Sequence, residues 1–551
     1  MQIIIPMSGF GERFKRAGFS IPKPLIEVDG RSIISHVIDL FPGESNFFFI
    51  CNENHLNEPS FRMKAHLNDL CPSGEIIGIS SHKLGPIHAV QKIKHLLNPN
   101  EPTLVNYCDF SCYWNWSDFK KTVLQTDIYG AIPAYKGFHP HSLGNTKYAY
   151  IKETNFKLED IQEKKAFTDN RLNEFASSGA YYFKSASLMF DSFDWVRENN
   201  INVNQEFYVS SAYQYLIKQN LKTLIYPLQH FMQWGTPEDL AEYIEWSETF
   251  HKLQKNRFTE NLNLKGSVIV PMAGLGKRFE EAGYEITKPL IEVSGRSMVT
   301  MAIKSLPPAN LYSFVMREDM AGLEKIKLEL IENFRKNKFR VIEKVTEGQA
   351  ITVLEGLREL ENQDEAFVNP ITIAACDNAI LFNQKQYEAT YQNEDFDILV
   401  WGAFNHVNAK RNPMMFGWIK YDEEMNVKYI SVKKAIDDSC AHPIVTGMFT
   451  FRNSDILKRS ILELVKKNHR INNEFYLDSA INEALTLGFK CKLFIVDHFI
   501  SFGTPNDLKT FEYWQSCFSK WHGHPYQLSN DPFIPENEIN QLEKKYEKFS
   551  K

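Results

Sequence analysis

Two glycines, an arginine and a lysine occur twice in this chain at one spacing. Pro6-Met7-Ser8-Gly9-Phe10-Gly11-Glu12-Arg13 leads to Pro22-Lys23-Pro24-Leu25-Ile26, and Pro271-Met272-Ala273-Gly274-Leu275-Gly276-Lys277-Arg278 leads to Thr287-Lys288-Pro289-Leu290-Ile291. Arg13 and Arg278 are 265 positions apart (278 − 13), as are Lys23 and Lys288. Glycines directly after a strand let the backbone turn tightly and aim its N–H groups at an anion. An arginine adds a permanently charged fork that matches phosphate oxygens. The lysine beside proline is a point charge on a stiffened segment. Such a set suits a polyphosphate from which pyrophosphate leaves. Asp109 and Asp377 each follow an apolar run ending in cysteine (Leu104-Val105-Asn106-Tyr107-Cys108 and Ile371-Thr372-Ile373-Ala374-Ala375-Cys376). A carboxylate there requires a cation or hydrogen-bond donors. Mg²⁺, which takes one or two carboxylates plus phosphate oxygens and water, is one answer; a helix N-cap is the other.

The elements that must position these groups also come in duplicate. Ser178-Gly179-Ala180-Tyr181 matches Thr446-Gly447-Met448-Phe449, Asn204-Gln205-Glu206-Phe207-Tyr208 matches Asn472-Asn473-Glu474-Phe475-Tyr476, and Gly235-Thr236-Pro237 matches Gly503-Thr504-Pro505. All three carry one offset, 268, as Gly179 and Gly447 show (447 − 179). A period this long belongs to a duplicated globular domain and not to a solenoid. Short continuous apolar runs (Ile3–Ile5, Asn46–Cys51, Thr103–Cys108) alternate with helical patterns such as Ser32–Leu40. That alternation predicts two tandem Rossmann-like three-layer α/β/α domains with mostly parallel mixed sheets. Binding residues then belong at the carboxyl ends of strands. The expected layout is domain 1 over 1–250, a polar linker over 251–265, domain 2 over 266–520 and a loosely packed C-terminal tail with one short helix over 521–551.

Bulk properties narrow the function classes. A formal net charge of −6 argues against a nucleic-acid binder. Eight cysteines with no CxxC pair indicate neither a disulfide framework nor a structural zinc site. No apolar run reaches the ~18 residues that span a bilayer, and Met1-Gln2-Ile3-Ile4-Ile5 lacks the basic start of a signal peptide. The expected setting is cytoplasmic, without membrane insertion, and compatible with a homo-oligomer.

The GxGxR loop, the PKP or TKP segment and the glycine-basic pairs Gly30-Arg31 and Gly295-Arg296 resemble the nucleotidyltransferases that activate sugar phosphates. The resemblance covers most of both repeats. It implies a fold of the glycosyltransferase-A type and a reaction joining a nucleoside triphosphate to a sugar 1-phosphate with release of pyrophosphate. A phosphorylated polyol or amino-alcohol is the nearest alternative acceptor. By resemblance, Gly9, Gly11 and Arg13 hold the triphosphate and Lys23 contacts the reacting phosphates, with Gly274, Gly276, Arg278 and Lys288 repeating those roles. Asp109 and Asp377 are the implied Mg²⁺ ligands. Gly348 and Gln349 match the base-lining segment, of which repeat one keeps only Gly85. The acceptor-side residues implied are Glu163, Lys164, Gly179 and Glu206 in repeat one, and Lys433, Gly447 and Glu474 in repeat two.

Departures from the pattern matter. Gln233 and Ser501 stand where a second metal-binding aspartate is expected, leaving Glu206, Glu474 or Asp478 as substitutes. Val432 stands where a glutamate should precede Lys433. Thr236 with Asp239, and Thr504 with Asp507, read as helix caps. The cluster Tyr113-Trp114-Asn115-Trp116 reads as core, and His139 with His141 lacks a third metal ligand. The competing functions are a chain with one catalytic repeat and one non-catalytic nucleotide-sugar-binding repeat, and a glycosyltransferase on the same fold. The latter needs a DxD pair, which Asp109-Phe110-Ser111 and Asp377-Asn378-Ala379 do not provide. If the family habit holds, the product feeds surface polysaccharide synthesis.

Overall fold

The computed structural model describes residues 1–125, 127–144, 148–255, 266–361, 363, 368–393, 395–436 and 441–548. The chain divides into two compact units. Unit 1 is Met1–Ser247 with Trp521–His524 and Lys544–Lys551; unit 2 is Glu248–Lys520 with Pro525–Glu543.

In unit 1 the strand Gln2–Met7 is central. It runs parallel to Phe47–Asn52 on one side and to Thr103–Asn106 on the other, with Glu75–Ile79 beyond. Ile4 packs with Ile87 and Val90 of the helix Pro86–Gln91 and with Met189 and Phe193 of the helix Ala186–Glu198. Ile3 and Ile5 point to the opposite face and are equally buried. A strand covered on both faces accounts for the unbroken Ile-Ile-Ile run. Past Thr103–Asn106 the sheet becomes mixed. Ala180–Phe183 runs antiparallel between Thr103–Asn106 and Gly130–Tyr135, and Lys157–Glu163 pairs antiparallel with Ala149–Thr154. A separate ribbon joins Phe110–Tyr113 to His230–Gln233 and sets Gln233 opposite Phe110.

Unit 2 has the same kind of α/β architecture. Ser267–Pro271 runs parallel to Leu311–Arg317 and Ile371–Ile373, with Asn337–Ile342 beyond. Ile444–Phe451 is antiparallel to both Ile371–Ile373 and Ile398–Ala403. Gly417–Tyr421 pairs with Val427–Val432, and a ribbon sets Asn378 opposite Ser501.

Two expectations are corrected. Residues 251–255 are not a polar connector but the end of a helix, Pro237–Lys255, because Phe250 and Leu253 give it a buried stripe; 256–265 lie outside the described residues. The terminal stretch is not loosely packed either. Tyr526, Leu528, Phe533 and Ile534 are buried. Within unit 2, Gln515 Nε2 donates to the Tyr526 hydroxyl at 2.9 Å, that hydroxyl donates to Asp531 at 2.6 Å, and Arg296 Nε donates to the Phe533 carbonyl at 2.7 Å. Prolines and asparagines break the helical period there, yet spaced aromatics still bury enough apolar surface to order it. A helix, Ile539–Lys548, follows. Trp114 and Trp116 pack against Phe41 and Phe119, which makes the two tryptophans part of the packing, while Tyr113 is 38% exposed.

Candidate active site

The parallel strands of unit 1 end at one edge, and the loops leaving that edge carry the candidate residues. After Gln2–Met7 the chain turns through Gly9 and Gly11 into a five-residue helix, Glu12–Arg16. Gly11 has φ 65, and an added Cβ at Gly9 or Gly11 would meet nothing within 4 Å. The loop is therefore open on the side where an anion would sit. Among the described residues, no acceptor takes the N–H groups of Gly9, Phe10 or Gly11. Gly276 repeats the turn with φ 67.

Lys23 begins a short 3₁₀ turn, Lys23–Leu25, entered from Pro22. Its Nζ donates to Asp109 Oδ2 at 2.8 Å. In unit 2, Lys288 Nζ donates to Asp377 Oδ2 at 2.5 Å and to the Gly503 carbonyl at 3.2 Å. Burial opposes charge on Lys23, but Asp109 outweighs it and holds the ammonium above its usual pKa; Asp377 does the same for Lys288. Arg13 and Arg278 are exposed. Each is near enough for its charge to bear on the lysine of its own unit. Each unit thus gathers glycine loop, guanidinium, ammonium and carboxylate at one strand edge.

Neither aspartate caps a helix. Asp109 leads into the strand Phe110–Tyr113 and Asp377 into Asn378–Leu381. The late glycine segment closes over each. Trp234 N–H donates to the Asp109 carbonyl and Phe502 N–H to the Asp377 carbonyl, both at 2.8 Å. A Cβ at Gly235 would lie 3.1 Å from Asp109 Oδ2 and 3.3 Å from Gln233 Nε2, so the Gln233 amide and the carboxylate are neighbours. Gln233 Oε1 is buried with no hydrogen-bond partner among the described residues, and Asn378 Oδ1 beside Asp377 is in the same condition. The amide groups turn their nitrogens towards the carboxylates, Gln233 Nε2 beside Asp109 and Asn378 Nδ2 3.5 Å from Asp377 Oδ1, so the hard-oxygen donors that fit Mg²⁺ are the two aspartates themselves. The sequence reading missed Asn378, whose only local signal is that it follows Asp377. Thr236 and Asp239 bond reciprocally, as do Thr504 and Asp507, fixing the first turn of the helix after each glycine segment.

The acceptor-side candidates of unit 1 gather around one turn. Ser210 Oγ donates to Glu163 Oε2 at 2.6 Å, and burial pushes the Glu163 carboxyl up. Lys164, at φ 58, donates to the Tyr208 hydroxyl, which in turn donates to Glu206. With its carboxylate engaged by Tyr208 and Lys164, Glu206 belongs to this side of the cleft and not to the Asp109 pair. Gly179, at φ 103, sits against Tyr107 and Phe110, which flank Asp109. In unit 2 Lys433, at φ 54, donates to the Met415 carbonyl, and burial lowers its pKa. Burial pushes Asp478 up to about 6. Glu474 is exposed and hydrogen-bonds with Tyr476. Gly447 has φ 82.

Gly85 and Gly348 start the helices Pro86–Gln91 and Gln349–Arg358. Both have a packing reason to be glycine. A Cβ on Gly85 would lie 2.6 Å from the Phe207 nitrogen, and one on Gly348 2.5 Å from the Phe475 nitrogen. Phe207 N–H donates to the Leu84 carbonyl and Ile87 N–H to the Phe207 carbonyl; Phe475 bonds Glu347 and Ala350 in the same way. Near this segment in unit 1, His82 and His88 meet edge-to-face at 4.6 Å, and Lys83 pairs with Glu12 at 2.8 Å. In unit 2, Thr346 donates to the Gly348 carbonyl at 2.9 Å.

Sequence reasoning also missed the partners of His141. Its side chain is fully buried in unit 1, with Nδ1 3.3 Å from Asp239 and 3.5 Å from Glu242. Burial opposes the charged ring, but the two carboxylates prevail and raise its pKa to about 9.

No family model and no curated protein matches the sequence. Among solved structures it is similar to a nucleoside-diphosphate-sugar pyrophosphorylase from Vibrio cholerae RC9, at 20% identity and TM-score 0.37, with 44% of this chain and 98% of that chain covered. It is also similar to an inositol-1-phosphate CTP transferase from T. maritima, at 17% identity and TM-score 0.36, with 46% of this chain and 96% of that chain covered. A UDP-glucose pyrophosphorylase complexed with UDP-glucose gives 17% identity and TM-score 0.36, with 46% of this chain and 98% of that chain covered. Each match takes in nearly all of the other chain and under half of this one.

Proposed function

We propose that the chain carries two nucleotidyltransferase sites, each joining a nucleoside triphosphate to a small phosphorylated acceptor. The reading rests on one observation: in both units a lysine that follows the glycine loop is hydrogen-bonded to a strand-end aspartate. A phosphate oxygen of the acceptor attacks the α-phosphorus of the triphosphate in line. The bond to the β-phosphate oxygen breaks, pyrophosphate leaves, and a nucleoside-diphospho conjugate forms. A phosphate monoester is already ionised at neutral pH, so no general base is needed. The protein supplies position and charge. The loop N–H groups and Arg13 or Arg278 take the leaving phosphates, and Lys23 or Lys288 meets the charge growing at the α-phosphate. Asp109 and Asp377 are the residues that would hold Mg²⁺, with the Gln233 and Asn378 amides beside them. When bound, the ion neutralises phosphate charge. The acceptor lies towards Glu163, Lys164 and Glu206 in unit 1, and towards Lys433 and Glu474 in unit 2. A sugar 1-phosphate is the leading acceptor class, and the conjugate would serve as a surface polysaccharide precursor.

The test is a panel of nucleoside triphosphates against phosphorylated sugars, polyols and amino-alcohols with Mg²⁺, read as pyrophosphate release. At least one pairing should release pyrophosphate. Silence across the panel together with consumption of nucleotide sugars would instead assign glycosyl transfer.

A further inference from the structure

The two units place their acceptor-side carboxylate on opposite walls. In unit 1 the wall is the strand Lys157–Glu163, whose last residue supplies the carboxylate and is paired in register with Ala149. Facing it is Ser210, two residues past Tyr208, which caps the short helix Val209–Ala212. In unit 2 the register pairs Val432 with Gly417, and Val432 precedes a lysine in the left-handed conformation just as Glu163 does. Facing it is Asp478, two residues past Tyr476, which caps the helix Leu477–Thr486. The set Ala149, Glu163 and Ser210 has become Gly417, Val432 and Asp478.

These three differences are physically linked. A Cβ at position 417 would lie 2.5 Å from Asp478 Oδ2, so a methyl such as Ala149 carries in unit 1 would displace the Asp478 carboxylate from its present place. Valine on the strand leaves the helix-borne carboxylate as the acidic group at this place. The two carboxylates also differ in what occupies them. Glu163 accepts from Ser210 Oγ. Among the described residues, Asp478 accepts no side-chain hydrogen bond, and Lys433 donates to the Met415 carbonyl. A half-buried carboxylate with open lone pairs demands donors, and a bound ligand with vicinal hydroxyls would provide them. A structural counter-ion for Lys433 would be expected to share a hydrogen bond with it.

Building on the transferase reading, we propose that Asp478 is the acceptor-binding carboxylate of unit 2, that it recognises hydroxyls of a polyhydroxylated phosphate, and that the two units therefore select acceptors of different outline. The carboxylate reaches in from the helix on a side chain one methylene shorter than Glu163. It meets a different hydroxyl of whatever lies between Lys433 and Gly447.

The experiment uses the full chain with Glu163→Gln, which suppresses the acceptor site of unit 1. Calorimetric titrations with glucose 1-phosphate, ribitol 5-phosphate and phosphocholine are compared with and without Asp478→Asn. The expected result is that the hydroxylated probes weaken ~10–100-fold while phosphocholine does not change. A triple variant, Gly417→Ala with Val432→Glu and Asp478→Ser, transplants the unit 1 arrangement; it should bind hydroxylated probes in the preference order of unit 1, measured with unit 1 intact and Asp478→Asn. Unchanged binding in Asp478→Asn, wild-type binding of phosphocholine alone, or no binding of any probe overturns the proposal. If Asp478→Asn does not fold, an unaltered probe order in the folded triple variant overturns it. Pyrophosphate release is read in parallel. Lost probe binding without any release keeps the acceptor site and removes the transferase reading; release with Asp478→Asn binding normally does the reverse.

Discussion

At the scale of single residues, the Lys23–Asp109 and Lys288–Asp377 pairs carry the most weight. Lys23→Ala, studied in an Asp377→Ala background, should cut pyrophosphate release by unit 1 on the order of 10²–10³-fold, because it removes a fixed cation from the point where charge develops. A circular-dichroism melt near that of the parent would show that the loss is not unfolding. Gly85→Ala acts differently. It forces a side chain into φ 84 with its Cβ 2.6 Å from a backbone nitrogen. Unit 1 should lose about 2–4 kcal/mol in urea unfolding.

At the scale of elements, His141 ties the loop Pro140–Leu143 to the start of the helix Pro237–Lys255 through Asp239 and Glu242. Its pKa stands at about 9 in the fold, above the 6.5 of a free imidazole. The stability it contributes is complete below pH ~6.5 and is lost as pH rises through 9, by on the order of 3 kcal/mol in all. Urea midpoints at pH 6, 7.5 and 9 should fall across that series. His141→Asn should flatten the fall, since Asn408 in unit 2 donates to Asp507 without titrating in this range. Nothing local in the sequence announces this element. His141 and Asp239 are 98 positions apart (239 − 141), and only the folded chain brings them together. The features legible in the sequence are those whose cause is short-range: the glycine turn, the apolar strands, the Thr236 and Thr504 caps. Val432 was visible as a departure and Asp478 as a carboxylate, but their relation depends on strand register and helix placement. The packing of Tyr526 and Phe533 was masked for a similar reason, because irregular backbone has no period to read.

At the scale of the whole molecule, the question is whether the two sites are alternatives or a pair. The segments proposed to line the base differ, Lys83-Leu84-Gly85-Pro86 against Thr346-Glu347-Gly348-Gln349, and so do the walls proposed to meet the acceptor. Asp109→Ala and Asp377→Ala, made separately, should each abolish a distinct nucleotide–acceptor pairing and leave the other within about twofold. One variant with every pairing intact would make that unit a binding module. Phe533→Ala, at a side chain 1% exposed in unit 2, should cost about 3–5 kcal/mol of that unit's unfolding free energy. Scanning calorimetry should then show unit 2 melting at a lower temperature than in the parent protein.

The hydrogen bonds that join Leu84 and Ile87 to Phe207, and Glu347 and Ala350 to Phe475, give each cleft a rigid crosspiece. The backbone that would line the base is stitched to the turn that would receive the second substrate. On the transferase reading, a wall that shifts on binding would pull its neighbour, and by linkage the influence would be mutual. A first substrate that seats well would thereby prepare the place for the second.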